Sequence, residues 1–259
     1  MPFKNTPSNA ARRRRRLAAA CALALLTAGC ASLPDDQPRD ERDPWERYNR
    51  AIHSFNTGVD LAVMRPVATA YKTAVPQLVR TGIGNFFGNL GDVWSFVNNA
   101  LQGKGEGALT SFWRVAINTT MGLGGVLDPA TDLQLERRRE DFGQTLGVWG
   151  VGSGPYLVLP FLGPSTLRDT AALPVDYYGH PLTYFKGTRT RNVLTFTRAV
   201  HTRASLLDAT DILQGASLDD YSFTRDAYLQ KRRNDIYDGN PPQDEERYDL
   251  DEPEEPQQP

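Results

Sequence analysis

Cysteine is nearly absent from the 259 residues: Cys21 and Cys30 are the two, both in the first thirty. No disulfide can form beyond that point, so packing and hydrogen bonds must hold the body. Histidine is scarce as well. His53, His180 and His201 stand far apart, in no H-E-x-x-H or His-x-His spacing, so no local metal site is signalled. No segment offers 18 clean apolar residues, which leaves no conventional membrane-spanning helix. After residue 30 the chain carries 23 Lys and Arg against 31 Asp and Glu, and no basic patch remains for nucleic acid. The catalytic patterns fail one by one. Ser153 lies among glycines, but a G-x-S-x-G elbow needs glycine at 151 and 155, where Val151 and Pro155 stand. Gly150, Gly152 and Gly154 give only G-x-G-x-G, followed by Pro155 and "YLVLP" rather than a phosphate-holding helix, and there is no Walker lysine. Enzyme readings therefore come out weakly.

What is present begins with charge. Arg12 to Arg16 are five consecutive arginines, followed by "LAAACALALLTAG" and Cys30. A basic region, a short apolar segment and small residues form a secretory signal. One reading is a plain signal peptide. The sharper one rests on "LTAGC", which resembles the lipobox of bacterial lipoproteins although Thr27 replaces the usual leucine. It makes residues 1–29 the signal and Cys30 the lipidated first residue of the mature chain. Ala31 rather than aspartate follows, which by resemblance to enteric lipoproteins favours the outer membrane.

Residues 30–42 read as a lipidated tether and 43–233 as one domain. Residues 234–259 read as a disordered tail, with ten acids against one base, Arg247. Within that tail reading, a docking peptide for a basic partner stays open. Inside the domain the spacing predicts helices. The first opens with Asp43 as N-cap and Pro44 behind it, with Trp45, Tyr48, Ile52, Phe55 and Val59 on one face. Others cover 67–75, 79–101, 108–121, 188–213 and 219–235. The 79–101 helix has an apolar stripe from Ile83 to Leu101, a single acid, Asp92, and a polar face of Asn85, Asn89, Asn98 and Asn99. Such a helix suits a protein core or a lipid interface. The acids around "ERRRED", from Asp128 to Asp141, read as a solvated turn. The glycine-rich run from Phe142 to Asp169 reads either as a side-chain-poor lining for acyl chains or as a tight core turn.

Several stretches in order resemble the MlaA (VacJ) family: "DPWERYNRAIHSFN" at 43–56, "RPVATAY" at 65–71, "VP" at 75–76, "GIGNFFGNL" at 82–90, "VNNALQGK" at 97–104, "NTTMGLGGVLDPA" at 118–130 and "EDFGQTLGVWGVGSGPYLVLPFLGPSTLRD" at 140–169. The resemblance covers about 43–185. It implies an all-α, mostly helical fold, a ring of amphipathic helices in the inner leaflet of the outer membrane around a central amphipathic channel. It implies no enzymatic activity, but removal of mislaid phospholipid from the outer leaflet and delivery to a periplasmic, MlaC-like carrier. Trimeric porins are partners in many species, and no cofactor is implied beyond the covalent lipid on Cys30. Ser54, Phe55 and Asn56 resemble the family's part that influences channel opening. The candidate channel or gate residues are Phe55, Asn56, Gly150, Gly152, Gly154, Tyr156 and Leu157. A structural lipoprotein that binds a partner without moving lipid is the competing expectation. A lipid-modifying enzyme using Ser153 or a histidine is a weaker one.

Overall fold

The computed structural model describes residues 40–216 and 219–242. Nine α-helices and one hairpin make up the described chain. In order they are α1 (Glu46–Val59), a π-helical turn (Asp60–Met64), α2 (Arg65–Ala74), α3 (Gln77–Leu101), α4 (Gly105–Thr120), α5 (Pro129–Asp132), α6 (Phe142–Val148), β1 (Tyr156–Leu159), β2 (Gly163–Thr166), α7 (Leu167–Gly179), a 3-10 turn (Pro181–Tyr184), α8 (Thr188–Ala216) and α9 (Asp220–Ile236). Helix α3 lies along α4, α2 along α8, and α6 against α7. The fold is mostly helical, as the sequence predicts. Among the described residues, no helix is long and apolar enough to cross a membrane.

The first helix differs in detail from expectation. Its N-cap is Trp45, with no side-chain cap bond. Asp43 is instead buried and binds Asn49 and Tyr221. The π-helical turn hands the chain from α1 to α2, whose first turn holds Pro66.

Packing is inverted relative to a water-soluble protein. Among the described residues, 12 hydrophobic residues are buried, 18 polar or charged ones are buried, and 34 large hydrophobic ones are exposed. Helix α3 shows why. Asn89, Asp92, Ser95, Asn98 and Asn99 face inward, while Leu78, Val79, Phe96 and Leu101 face out. Helix α4 answers with Gly107, Ser111, Arg114 and Asn118 inward and Leu109, Phe112 and Trp113 outward. The stripes are legible in the sequence; their direction is reversed. Small and amide side chains let the two backbones approach, and a β-carbon at Gly107 would sit 2.1 Å from Asn99 Oδ1.

A buried charge network seals this seam. The Arg114 side chain donates to Asp128 at 2.8 and 2.7 Å, to Asp92 at 3.2 Å and to Thr131 at 3.1 Å. Arg137 reaches Asp92 at 3.1 Å and Asp128 at 3.4 Å. Two arginines meet two aspartates, so no net charge is buried. Of the acids near "ERRRED", Asp128 and Glu140 therefore do not lie in a solvated turn, Glu140 being buried and bonded by Gln102 at 2.9 Å, while Asp132 and Glu136 are exposed as expected. Burial pushes the Asp92 and Glu140 carboxyls up from their ordinary values despite these partners.

At the far end, α9 passes the expected boundary at residue 233 and ends at Ile236. Asp219 caps it, accepting from Tyr221 N–H at 3.2 Å. Asp238 then ties back to Lys104 at 2.7 Å, so the ordered body reaches past 233. The signal, Cys30, the tether up to residue 39 and the tail from residue 243 lie outside the described residues.

Candidate functional site

Two asparagines on α1 organise the glycine-rich region. Asn49 and Asn56 are seven residues apart, two turns along one helix face. Asn49 is fully buried. Its amide nitrogen donates to Asp43 at 2.7 Å and to the Tyr156 carbonyl at 3.1 Å, and its oxygen accepts from Val158 N–H at 2.8 Å. Asn56 repeats the pattern further along. It donates to the Leu159 carbonyl at 2.9 Å and accepts from Phe161 N–H at 2.8 Å. Strand β1 pairs with β2 on one edge. Along the other edge the two amides, with the Arg42 carbonyl that takes Tyr156 N–H at 2.8 Å, do what a third strand would do.

The hairpin replaces what the sequence left as an irregular apolar run. Its register sets Tyr156 opposite Thr166 and Leu159 opposite Gly163. Alternation along β1 sends Tyr156 and Val158 into the core with Tyr221, and leaves Leu157 and Leu159 half-buried. Tyr156, one of the channel candidates, thus has no exposed surface and faces the core. At the tip, Phe161 adopts φ +64 and stands 73% exposed beside Leu162 at 70%. Its ring meets Phe55 edge to face at 5.3 Å. Phe55 and Asn56 therefore hold the tip together, one by its ring and one by its amide.

The loop before the hairpin is neither a packed turn nor a helix N-terminus. Residues 151–154 are exposed. Gly150 and Gly154 have φ +89 and +64, which only glycine adopts freely, while a β-carbon on Gly152 would meet nothing within 4 Å. The base of the loop is fixed by α7. Arg168 donates through its backbone to the Ser153 carbonyl at 3.1 Å and through its side chain to the Val151 carbonyl at 3.2 Å. Arg168 pairs with Asp169 at 3.0 Å, and Asp169 receives Arg232 at 2.9 Å and Tyr228 at 2.9 Å. Burial works to raise the Asp169 carboxyl, but the Arg232 bonds outweigh it and hold it below the usual range. Arg232 also grips Asp141, the N-cap of α6, at 2.6 Å. Helix α9 thus braces both ends of the glycine-rich segment.

Phe55, Asn56 and the hairpin come together; Gly150, Gly152 and Gly154 form a separate exposed arm beside α7. Asn49, Arg168 and Asp169 were not singled out in the sequence. The seven-residue spacing of Asn49 and Asn56 was the available signal. The histidines take local bonds: His53 with Asp220 at 3.0 Å, His201 with Tyr71 at 3.1 Å, and His180 with Leu182 N–H at 3.1 Å. Among the described residues, no group of three histidine, cysteine or acidic residues is placed to hold a metal.

The sequence model of the family described as MlaA lipoprotein matches residues 41–235. Over 220 residues the chain is 39% identical to the intermembrane phospholipid transport system lipoprotein MlaA of Escherichia coli strain K12, covering 83% of this chain and 86% of that one. The protein of the same name from Haemophilus influenzae is 34% identical over 222 residues, with 83% and 88% covered. A solved chain, reported under "Structural basis for maintenance of bacterial outer membrane lipid asymmetry", is similar at TM-score 0.67 and 36% identity, over 78% of this chain and 100% of that one.

Proposed function

The chain belongs to the MlaA lipoprotein family, and from that premise we propose that it is a lipid-anchored outer-membrane protein that withdraws phospholipid from the outer leaflet. The observation that carries this reading is the inverted packing: polar and charged side chains buried, and rows of Leu, Phe and Trp facing out on α3 and α4. A hydrocarbon environment accommodates those rows, at roughly 1.5–3 kcal/mol for each large side chain removed from water. Helices without a span then lie in one leaflet as a ring around an amphipathic channel. The exposed Gly150–Gly154 arm and the tip around Phe55, Asn56, Leu157 and Phe161 border that path. Cys30 carries the acyl chains that keep the protein on the periplasmic side. Released lipid passes to a soluble periplasmic carrier of the MlaC kind, and a trimeric porin is the neighbour in the membrane.

The test compares surface phospholipid in cells lacking the protein, in cells restored with it, and in cells carrying Cys30→Ser. Loss should raise outer-leaflet phospholipid, restoration should lower it, and Cys30→Ser should deplete the protein from the membrane fraction and abolish clearance. Unchanged surface phospholipid on deletion would favour a structural lipoprotein that binds a partner only.

A further inference from the structure

We infer that a single glycerophospholipid docks across the N-terminal half of α3, away from the hairpin, with one acyl chain in an apolar recess and its phosphate at Arg80. Two recesses lie on neighbouring stripes of α3. One, of about 530 Å³, is lined by Leu78, Val79, Ile83, Phe86, Val126 and Leu194, with almost no polar surface. The other, of about 420 Å³, is lined by Tyr71, Lys72, Arg80, His201, Ser205 and Asp208. Thr81 and Asn85 line both. They are the shared wall over which an amphipathic molecule would lie. Both volumes fall in the range of about 300–1,000 Å³ typical of small-molecule sites.

Charge decides the occupant. The acid in the polar recess, Asp208, is already matched to Lys72 at 2.6 and 2.7 Å. The Arg80 side chain makes one described bond, from Nε to the Val75 carbonyl at 3.1 Å, and has no carboxylate partner among the described residues. Its planar fork suits a phosphate. Tyr71 and His201, bonded to each other at 3.1 Å, stand beside it as neutral hydrogen-bonding groups. Burial first, then the charge of Arg80, hold His201 below its ordinary value. Leu78 and Val79 are 81% and 50% exposed, so the apolar recess is open along that side and an acyl chain has access to it. A fatty acid alone would leave the shape of the pair half used, and free phosphate would have no use for the apolar half.

The site rests on the reading of the chain as a phospholipid handler, and its test is local. In cells labelled with radioactive phosphate, a benzophenone residue replaces Leu194 in one strain and Trp113, on the outward face of α4, in another. Light should attach labelled lipid at both positions, and phospholipase C should release the label. Arg80→Gln should cut capture at Leu194 about tenfold, the loss of one charged hydrogen-bonded contact, and leave capture at Trp113 unchanged. Arg80→Lys should retain most of it. The inference is overturned if Arg80→Gln leaves capture at Leu194 intact, if capture falls equally at both positions, or if the label resists phospholipase C. Should deletion of the protein leave surface phospholipid unchanged, the transport reading fails while capture at Leu194 still decides this site.

Discussion

Replacing Asn49 by alanine removes more from this fold than its size suggests. Asn49 is fully buried and serves three groups: Val158 N–H at 2.8 Å, the Tyr156 carbonyl at 3.1 Å and Asp43 at 2.7 Å. Alanine leaves the first two without partners where water does not reach. Each costs about 1–3 kcal/mol. Asp43 keeps Tyr221 and an ion pair with Arg225 at 3.7 Å, so its loss counts least. The total is about 3–5 kcal/mol, which for a body of this size lowers the thermal midpoint by about 10 °C. Asn56→Ala removes two bonds of similar length, but at the hairpin tip, where Phe161 is open to solvent. Solvent replaces them there, and about 1 kcal/mol is expected, a few degrees. Circular dichroism of the full chain in detergent micelles, heated for parent, Asn49→Ala and Asn56→Ala, measures the difference. Asn49→Asp keeps the acceptor for Val158 but loses both donations and adds a charge beside Asp43, so it should do no better than alanine. Equal midpoints for the two alanine variants would refute the view that Asn49 is a buried surrogate strand edge.

Gly152→Leu should accumulate at parental abundance, because a β-carbon there meets nothing and the backbone is not left-handed. It should nevertheless impair clearance of surface phospholipid; full clearance would end the role of that arm in the lipid path. Gly154→Leu is the contrast: φ is +64 and a β-carbon lies 3.1 Å from the Leu167 side chain, so a loss of stability above about 1 kcal/mol is expected on heating. His180 gives a pH signature. Burial, then the charge of Arg198, lowers it to about 4, against an ordinary value of 6.5. The folded state therefore binds fewer protons between those values. The contribution of His180 is full above pH 6.5 and is lost as pH falls toward 4. The denaturation midpoint of His180→Gln should fall less steeply than the parent's across that window, and identical slopes would discard the assignment.

Helix positions were largely legible because the 3.6-residue period survives whichever way a stripe points. Trp45, Tyr48 and Phe55 do share a face of α1, yet that face is partly exposed and Asn49 is the buried residue. Period alone carries no sign. The sign was available in the asparagines of α3, which offered lipid interface as one of two readings. The hairpin escaped because Pro160 and Gly163 interrupt an apolar run whose side chains do not alternate in polarity. Helix α7 escaped because it carries Pro174 inside and follows the glycine-rich segment. The Arg114 network was invisible for another reason: its partners Asp92, Asp128 and Arg137 come from separate segments, and only the α3–α4 seam brings them together. At the candidate site, Phe55 and Asn56 were chosen through family resemblance, and their grip on Leu159 and Phe161 supplies the physical account.

The inverted interior has a calorimetric consequence. Heat capacity rises when apolar surface meets water on unfolding and falls when polar surface does. In this chain the apolar rows on α3 and α4 lie outside from the start, and the groups released from the seam are Asn89, Asp92, Asn98, Asn99 and Arg114. Unfolding within a micelle or leaflet should thus carry a heat-capacity increment well below about 12 cal/mol/K per residue, the lower end for globular proteins. The stability curve is correspondingly less curved, so stability should keep rising on cooling instead of passing through a maximum, and cold should weaken the fold little.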